Sequence, residues 1–237
     1  MQYDAAIIGA GPAGATFARR LAQQSPELKI LLLDAQDEGH KKPCGGLLAP
    51  DAQKTLAHFD LVLPKSVLAD PQIFAVETMD LRTRRVRYYQ RYYLNMDRYA
   101  FDRWLVSLVP PTVEIVRGRC TAVSRTDGGF VLTVRTAEGA RSFTCCCLIG
   151  EAAGFISASS FEGISSAIRS GSALADAFRN VKNTSKITRS YRKKTFSLRC
   201  KLFLKIWKRW FMYTPWVRSL IMRSGIESIR VRRSKED

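Results

Sequence analysis

The sequence lacks the residue patterns of a metal site. Its 237 residues include only two histidines, His40 and His58, and six cysteines without a C-x-x-C pair. Zinc sites take their ligands from Cys and His at short, characteristic spacings. We therefore predict no bound metal. Three consecutive cysteines, 145–147, lie in a predicted strand, where cysteine behaves as a small hydrophobic residue.

Long apolar runs are also missing. No stretch approaches the roughly 18–20 residues needed to span a bilayer. The N-terminal residues lack the charged region and apolar region of a secretory signal. We therefore expect a cytoplasmic protein in a reducing compartment.

Acidic residues are scarce in the last quarter of the chain. Residues 179–237 contain 18 Lys/Arg and 3 Asp/Glu, whereas residues 1–178 contain 20 Lys/Arg and 18 Asp/Glu. The net charge of +17 is thus concentrated in one segment, which predicts a local electrostatic partner. We predict a folded domain over residues 1–178 and a basic helical segment over residues 179–237.

A glycine-rich loop near the N-terminus is the first positive signal. It follows a buried strand predicted over Tyr3–Ile8, and it begins a helix predicted over Pro12–Gln24. In the dinucleotide-binding pattern, three glycines allow a tight turn, close approach of backbone to a diphosphate, and close packing of helix on strand. A second buried strand is predicted over Lys29–Asp34, and Asp34 stands where a carboxylate can accept from ribose hydroxyls. The candidate diphosphate residues are Gly9, Gly11, Pro12, Ala13 and Gly14.

A second loop, which contains an acid and glycines, favours FAD over NAD. A buried strand is predicted over Phe143–Ile149 before it, and a helix over Ser160–Arg179 after it. A carboxylate and backbone amides beside a helix start can hold a ribityl chain and a second phosphate. The alternative is an acid that caps an ordinary helix. The candidate residues are Gly150, Glu151, Ala152 and Gly154.

Two further regions contain candidate cofactor contacts. In the loop Lys42-Pro-Cys44-Gly45-Gly46, two adjacent glycines let the backbone approach a flat ring. Cys44 is then a candidate to touch a flavin or to act as a redox thiol, and a simple tight turn is the alternative. Arg98 begins the core of a helix predicted over Met96–Leu108. It can reach an adenosine or a phosphate, or it can be a solvated arginine on the helix surface.

Two segments have the alternating pattern of strands. Residues 72–93 interleave arginine with tyrosine, and residues 113–148 predict three or four strands with hairpin turns at Asp127–Gly129 and Glu138–Gly139. The Tyr/Arg stretch is similar to the stacking platforms of single-stranded nucleic-acid binders. An edge hairpin explains it more simply. No nucleic-acid partner is expected, because the positive charge lies elsewhere in the chain.

Residues 199–213 predict a basic amphipathic helix. Lysines and arginines occupy much of its surface, as in helices that bind an anionic membrane. A terminal helix docked on the domain is the alternative. The predicted apolar side consists of Phe203, Ile206, Trp207, Trp210 and Tyr213.

Together these motifs resemble the geranylgeranyl reductase family of FAD-dependent oxidoreductases, within the p-hydroxybenzoate-hydroxylase-like flavoprotein fold. The resemblance covers most of the chain, and the loop over 42–50 is its most specific signal. The motifs that carry it are Gly9-Ala-Gly-Pro-Ala-Gly14, Lys42-Pro-Cys-Gly-Gly-Leu-Leu-Ala-Pro50, Arg98…Phe101-Asp102…Leu105 and Gly150-Glu-Ala-Ala-Gly-Phe-Ile-Ser-Ala-Ser-Ser160…Glu162-Gly163.

The resemblance implies an α/β fold, with a Rossmann-like FAD-binding parallel sheet and a C-terminal helical segment. It further implies flavin-mediated reduction of carbon–carbon double bonds in an isoprenoid or lipid, with an unknown electron donor. Asp34 and the first glycine loop would hold the ADP half, while Arg98 and the backbone near Cys120 would border the adenosine. Glu151, Gly154 and Gly163 would serve the ribityl diphosphate, and Cys44 would lie by the ring as the one candidate catalytic residue.

The chain departs from the family pattern in one important way. Leu148-Ile149-Gly150 runs straight into Glu151, as if two similar strands were fused and the substrate sheet between them removed. We therefore expect the hairpin within 72–93 to be a remnant of that sheet, with the Tyr-rich stretch at 82–93 exposed as an unpaired edge. FAD binding is expected to be weakened and turnover poor. A flavin monooxygenase and a non-catalytic, membrane-associated FAD-binding protein remain the alternatives.

Overall fold

A computed structural model of the chain describes residues 2–36, 44–90, 92–150, 163–178 and 184–229. Side chains are described over the same ranges, apart from Thr184 and residues 208–213. The architecture below refers to these residues.

A mixed six-stranded sheet forms the centre of the molecule, in the order β7-β2-β1-β10-β9-β8. The first four strands in this order run parallel, and β9 and β8 continue the sheet as antiparallel neighbours. The short apolar runs in β1 and β2 form buried central strands, as expected for a parallel sheet covered by helices. The bounds are Gln2–Ile8 (β1), Ile30–Asp34 (β2), Val113–Arg117 (β7), Arg119–Thr126 (β8), Gly129–Thr136 (β9) and Gly139–Gly150 (β10).

The two faces of this sheet bury different hydrophobic clusters. Ala5 and Ile7 point towards the helices α1 (Pro12–Gln24), α3 (Arg98–Ser107) and α4 (Ile164–Phe178), and they belong to the larger cluster. The alternate residue Ala6 points to the opposite face. There it packs with side chains of β1, β2, β7, β9 and β10, among them Tyr3, Leu31, Val116, Leu132 and Phe143. From Ala5 to Ile7 this alternation follows the two-residue period of a strand, whereas Tyr3, three residues before Ala6, departs from it.

A second, smaller layer is built from short strands. The three-stranded sheet has the order β11-β5-β4, and β3 pairs with β6 in a separate two-stranded ladder. Its elements, with the helices between them, are β3 (Leu47–Leu48), α2 (Pro50–His58), a 3-10 helix (Lys65–Val67), β4 (Ala75–Asp80), β5 (Arg85–Gln90), β6 (Leu94–Asn95) and β11 (Ser228–Ile229).

The C-terminal part consists of α5 (Thr184–Lys194), α6 (Phe196–Tyr213) and α7 (Pro215–Ser224). Helix α5 packs on α4, and α6 packs on α7. Helix α7 ends at Gly225, whose φ of 66° is a left-handed C-terminal cap. In the described part of the chain, no helix combines the length and the apolar character needed to cross a membrane.

The predicted α/β class with a parallel Rossmann-like sheet is confirmed. The prediction of an unpaired Tyr-rich edge is wrong, because β11 pairs with β5 and matches Tyr89 with Ser228 and Tyr88 with Ile229. The outer strand of this small sheet is β4, which lies on the far side of β5. A strand of only two residues carries no periodicity, so this pairing could not be read from the sequence.

Candidate functional site

The two candidate loops leave the same edge of the central sheet. β1 and β10 are adjacent parallel strands, and Ile8 is the register partner of Gly150. The chain therefore passes into Gly9 and beyond Gly150 at neighbouring points, at the carboxyl edge where α/β sheets bind ligands. Glu151, Ala152 and Gly154 lie outside the described residues. Gly163 is described, and it stands half-buried directly before α4.

The first loop has the geometry of an anion cradle. Gly9 has a φ of 109°, which side chains rarely adopt, and its N–H donates to the Leu33 carbonyl at 3.0 Å. A Cβ added to Gly14 would lie 2.0 Å from the Gly9 carbonyl oxygen. The N-terminus of α1 at Gly11 receives no side-chain cap from the described residues, and its first turn contains no acid. Its free N–H groups and positive dipole end therefore favour a phosphate.

Helix α4 packs directly against this cradle. A Cβ added to Gly171 would lie 2.4 Å from the Ala13 carbonyl oxygen, so the two helices touch at backbone distance. Gly171 supports the first turn of α1 from behind and was not among the predicted site residues. Its only sequence signal is a glycine between two serines in a helix, which is too weak to identify a contact.

Asp34 is buried at the end of β2 and already has protein partners. One carboxylate oxygen accepts from the Gln36 amide at 3.1 Å, and the other is paired with Arg103. Arg103 also donates to the Gln36 side-chain oxygen at 3.0 Å. The main-chain carbonyl of Asp34 accepts from the Gly118 amide at 2.8 Å. The predicted ribose acid is therefore charge-compensated and held in one orientation.

Arg98 and Asp102 extend these contacts along α3. The Arg98 Nε donates to Asp102 at 2.9 Å, and Gln36 donates to the other Asp102 oxygen at 3.3 Å. Burial alone would lower the pKa of the Arg98 guanidinium, but the paired Asp102 carboxylate outweighs this and the pKa is raised overall. A guanidinium Nη1 of Arg98 reaches the Cys44 sulfur at 3.8 Å. One polar network thus connects Asp34 to Cys44.

Sequence reasoning missed two members of this network. Gln36 and Arg103 were not candidates, because they meet across a separation of 67 residues that no local pattern reveals. Only the Arg98–Asp102 pair had a readable signal. An arginine and an aspartate four residues apart on a predicted helix are expected to pair.

The loop over Cys44–Gly46 is attached to the start of α3. Gly46 has a φ of 67°, and its carbonyl accepts from the Met96 amide at 2.7 Å. A Cβ on Gly46 would lie 2.6 Å from the Met96 carbonyl oxygen, whereas one on Gly45 would meet nothing within 4 Å. Cys44 and Gly45 are exposed. The loop therefore presents an open strip of backbone next to Arg98.

Cys120 lies beside the Asp34 end of the site. It is the second residue of β8, two positions after Gly118, and it is half-buried. Burial raises the pKa of its thiol, and the sulfur donates to the Ala122 carbonyl at 3.5 Å. Its role at the border of an adenosine site stays a prediction. Over the described ranges, no cluster of His, Cys, Asp and Glu is arranged to hold a metal.

Comparison with known sequences shows which family the chain belongs to. Residues 7–39 match a family described as "NAD(P)-binding Rossmann-like domain". Protein CbrA of Escherichia coli O6:H1 is 31% identical over 351 residues, which cover 96% of this chain and 94% of that protein. Protein CbrA of Shigella dysenteriae serotype 1 is also 31% identical, with 96% and 98% covered. The chain belongs to the CbrA family.

Solved structures show which fold this CbrA family member has. The flavin-dependent brominase Bmp2 superposes with a TM-score of 0.52 at 16% identity, covering 65% of this chain and 39% of Bmp2. The p-nitrophenol 4-monooxygenase PnpA from Pseudomonas putida gives 0.50 at 13% identity, covering 63% and 40%. The chain thus spans about two fifths of the length of these structures. The shared part is the fold of flavin-dependent oxidoreductases.

Proposed function

We propose that this protein binds FAD at the carboxyl edge of the central sheet. The observation that carries this proposal is the uncapped, glycine-lined N-terminus of α1, directly beside the strand that ends at Gly150. Gly11, Ala13 and Gly14 would hold the diphosphate through the N-terminal end of the helix. No side chain projects from Gly9 or Gly14 to obstruct it. The backbone therefore fits the cofactor.

The adenosine half would lie next to Asp34. Each carboxylate oxygen has two lone pairs, so one contact per oxygen leaves Asp34 able to accept from ribose hydroxyls. Arg103 balances the buried charge, and Gln36 fixes the carboxylate plane. Cys120 would border the adenine.

The remaining part of FAD would extend towards Cys44 and the loop after Gly150. Glu151 and Gly154 are the proposed contacts for the ribityl diphosphate, with Gly163 before α4. The open strip at Gly45 would face the ring, and Asp102 would hold Arg98 in place at its border. When bound there and reduced by a separate electron donor, the flavin would supply the hydride for substrate reduction and return to its oxidised form.

We propose geranylgeranyl-reductase-type chemistry, in which a carbon–carbon double bond of an isoprenoid or lipid is reduced. The resemblance of the loop over 42–50 to that family supports this choice. The chain itself would orient the substrate and place a proton donor. Cys44 is the candidate proton donor, because its thiol is exposed beside the proposed ring position.

The substrate-binding part is proposed to be shortened. The alignment with Protein CbrA of Escherichia coli O6:H1 has 351 positions, whereas this chain has 237 residues, so at least 114 positions hold no residue of this chain. This length difference and the direct passage from Gly150 to Glu151 both support a missing substrate sheet. An open ring site would expose the reduced cofactor to water and oxygen, so slow turnover is expected.

A flavin monooxygenase is the second candidate, because PnpA shares this fold. A protein that binds FAD without turnover is the third. The two reactions differ in their need for oxygen: a reductase consumes reduced flavin anaerobically with its lipid, whereas a monooxygenase forms product only in air.

The first test is FAD binding by the purified protein, followed by absorption in the flavin bands and by titration. The unchanged chain and Gly128→Ala should bind equally, while Glu151→Gln and a bulky Gly11→Val should lose affinity. Anaerobic reoxidation of photoreduced protein by a polyprenyl lipid would support the reductase. If all four proteins fail to bind FAD, or if all bind it alike, the proposed site is wrong.

A further inference from the structure

Helix α6 has apolar side chains on two different faces. Leu198 and Leu202 are half-buried, and they form its packing side. Phe196, Phe203 and Trp207 are 67%, 61% and 62% exposed. Their spacing of seven and four residues places these three aromatic rings on one side of the helix. Over the described part of the chain, this stripe of α6 remains largely exposed.

Helix α7, which packs on α6, and the turn after it also carry exposed apolar side chains. Trp216 is 72% exposed, and Leu220, one turn further on, is 60% exposed. Ile221 and Ile226 are also largely accessible, at 46% and 66%. Such large apolar groups are normal on a surface when they are scattered singly, but a group of them on adjacent helices marks an interaction site.

The opposite side of α7 is fixed to the small sheet. Arg218 pairs with the buried Asp80 of β4 at 3.0 Å, and Arg87 of β5 donates to the Met222 carbonyl at 3.1 Å. β11, which follows α7 in the chain, pairs with β5 and so adds a backbone contact to the same small sheet. Helix α7 is therefore anchored to the small sheet by the side that carries Arg218 and Met222. Trp216 and Leu220 lie on its exposed side.

The charge of this region has one sign. The 50 residues from Ala177 to Ile226 contain 14 Lys/Arg and no Asp or Glu. On α6 the described basic residue Arg199 is exposed, three residues after Phe196 and four before Phe203, so it borders the aromatic stripe. Tryptophan and phenylalanine with surrounding lysine and arginine are typical of helices that lie in the interface of an anionic bilayer.

We infer that α6 and α7 form a membrane-contacting face that binds a bilayer containing anionic lipid. The stripe Phe196, Phe203 and Trp207, together with Trp216 and Leu220, inserts at the boundary of headgroups and acyl chains. Lysines and arginines contact the lipid phosphates. The clamp of α7 on the small sheet then holds the rest of the protein at the membrane surface in a fixed orientation.

Other occupants fit the surface less well. A second copy would bring another dense positive charge against the first, which is unfavourable. A nucleic acid would engage the basic residues, but it would leave the aliphatic side chains Leu204, Ile206, Leu220 and Ile221 exposed at its phosphates. A bilayer alone satisfies the charges and the apolar surface together. This inference needs no bound FAD, so it stands or fails separately from the proposed function.

Flotation of the purified full chain with vesicles tests the inference. Vesicles of phosphatidylcholine alone are compared with vesicles of phosphatidylcholine and phosphatidylglycerol. We expect flotation with the anionic vesicles only, weaker as salt rises. Trp207→Ala and Trp216→Ala should each lower the partition coefficient roughly tenfold, because each removes a large apolar group from the interface. Both side chains are exposed, so the fold should be retained, and circular dichroism checks this.

Two controls separate the contributions. Val62→Ala changes an apolar side chain that is 86% exposed outside this segment, and it should float like the unchanged protein. Arg199→Glu, beside the aromatic stripe, should weaken flotation with the anionic vesicles. Equal flotation of the double Trp variant and the unchanged chain would overturn the inference. Equal binding to neutral and anionic vesicles would also overturn it. The inference is equally wrong if the protein binds no vesicles and instead dimerises or binds an oligonucleotide.

Discussion

The close approach of α1 to β1 can be tested by one methyl group. In Gly14→Ala the new Cβ would lie 2.0 Å from the Gly9 carbonyl oxygen and 3.1 Å from its carbon. Real Cβ contacts essentially never fall below 3.0 Å, so loop and helix must separate by about 1 Å. Both partners are backbone, and no side-chain rotation relieves the overlap. The cradle must therefore widen.

The energetic cost follows from two opposing effects. Alanine improves helix propensity over glycine by up to about 1 kcal/mol. Overpacking a buried site costs about 1–3 kcal/mol and occasionally more, and a backbone clash belongs at the upper end. We expect a net loss of about 2 kcal/mol, which lowers Tm by roughly 4–8 °C for a chain of this size. Thermal unfolding by circular dichroism without added flavin measures it.

The same widening should weaken FAD binding. Loss of one charge-assisted hydrogen bond to the diphosphate costs about 1.5–3 kcal/mol, or roughly ten- to a hundredfold in Kd. Flavin fluorescence titration measures this. Gly128→Ala is the matched control, since its Cβ would meet nothing within 4 Å. If Gly14→Ala matches Gly128→Ala in Tm and in Kd, the described approach of α1 to the loop is refuted.

Three further predictions concern groups outside the cradle. Tyr3→Phe removes a hydrogen bond of 2.6 Å to Glu114 and should cost roughly 1–2 kcal/mol in urea unfolding; no change would show that the bond is replaced by water. Burial opposes ionisation of Asp80, but backbone and side-chain hydrogen bonds, including that from Arg218, lower its pKa overall. The ionised Asp80 carboxylate therefore stabilises the folded protein above the unfolded pKa of about 4, and this stabilisation is lost as pH falls through the folded value. We expect α7 to become sensitive to protease in acid, and in Asp80→Asn already at neutral pH. Protease resistance of that variant would contradict the contact between Arg218 and Asp80. Burial, and to a smaller extent the neighbouring thiols, raises the pKa of Cys145 to about 11. The protonated thiol therefore stabilises the folded protein at lower pH, and this stabilisation should be lost as pH rises from about 9 to 11. Modification of Cys145 by a thiol reagent in the native protein at neutral pH would contradict its burial.

The elements that could be predicted are those with strong local patterns. The helix over Pro12–Gln24 was predicted with its observed bounds, and β2 was predicted to within one residue. A short apolar run followed by glycines and a helical period leaves few alternatives. The helix predicted over Met96–Leu108 is shorter at each end, because Asp97 caps it by accepting from the Ala100 amide.

The site was only partly predictable, for a physical reason. A tight turn requires glycine at particular positions in the local sequence, so the loop over Gly9–Gly14 could be recognised as a candidate from the sequence alone. The cationic partner of Asp34 is Arg103 of α3, 69 positions away, and the contact of Gly171 with Ala13 joins residues more than 150 positions apart. Such contacts depend on the order of the strands in the sheet, and a single sequence does not reveal that order.

The C-terminal segment contributes to the small sheet that contains the hairpin. A hairpin left without its sheet would expose two edges, and exposed strand edges promote aggregation. Here β11 covers the β5 edge, and Arg218 compensates the buried Asp80. A buried carboxylate without its partner is strongly destabilising, so the hairpin and α7 depend on each other. The segment after residue 178 therefore also completes the small sheet, through the β11–β5 pairing and the Arg218–Asp80 ion pair.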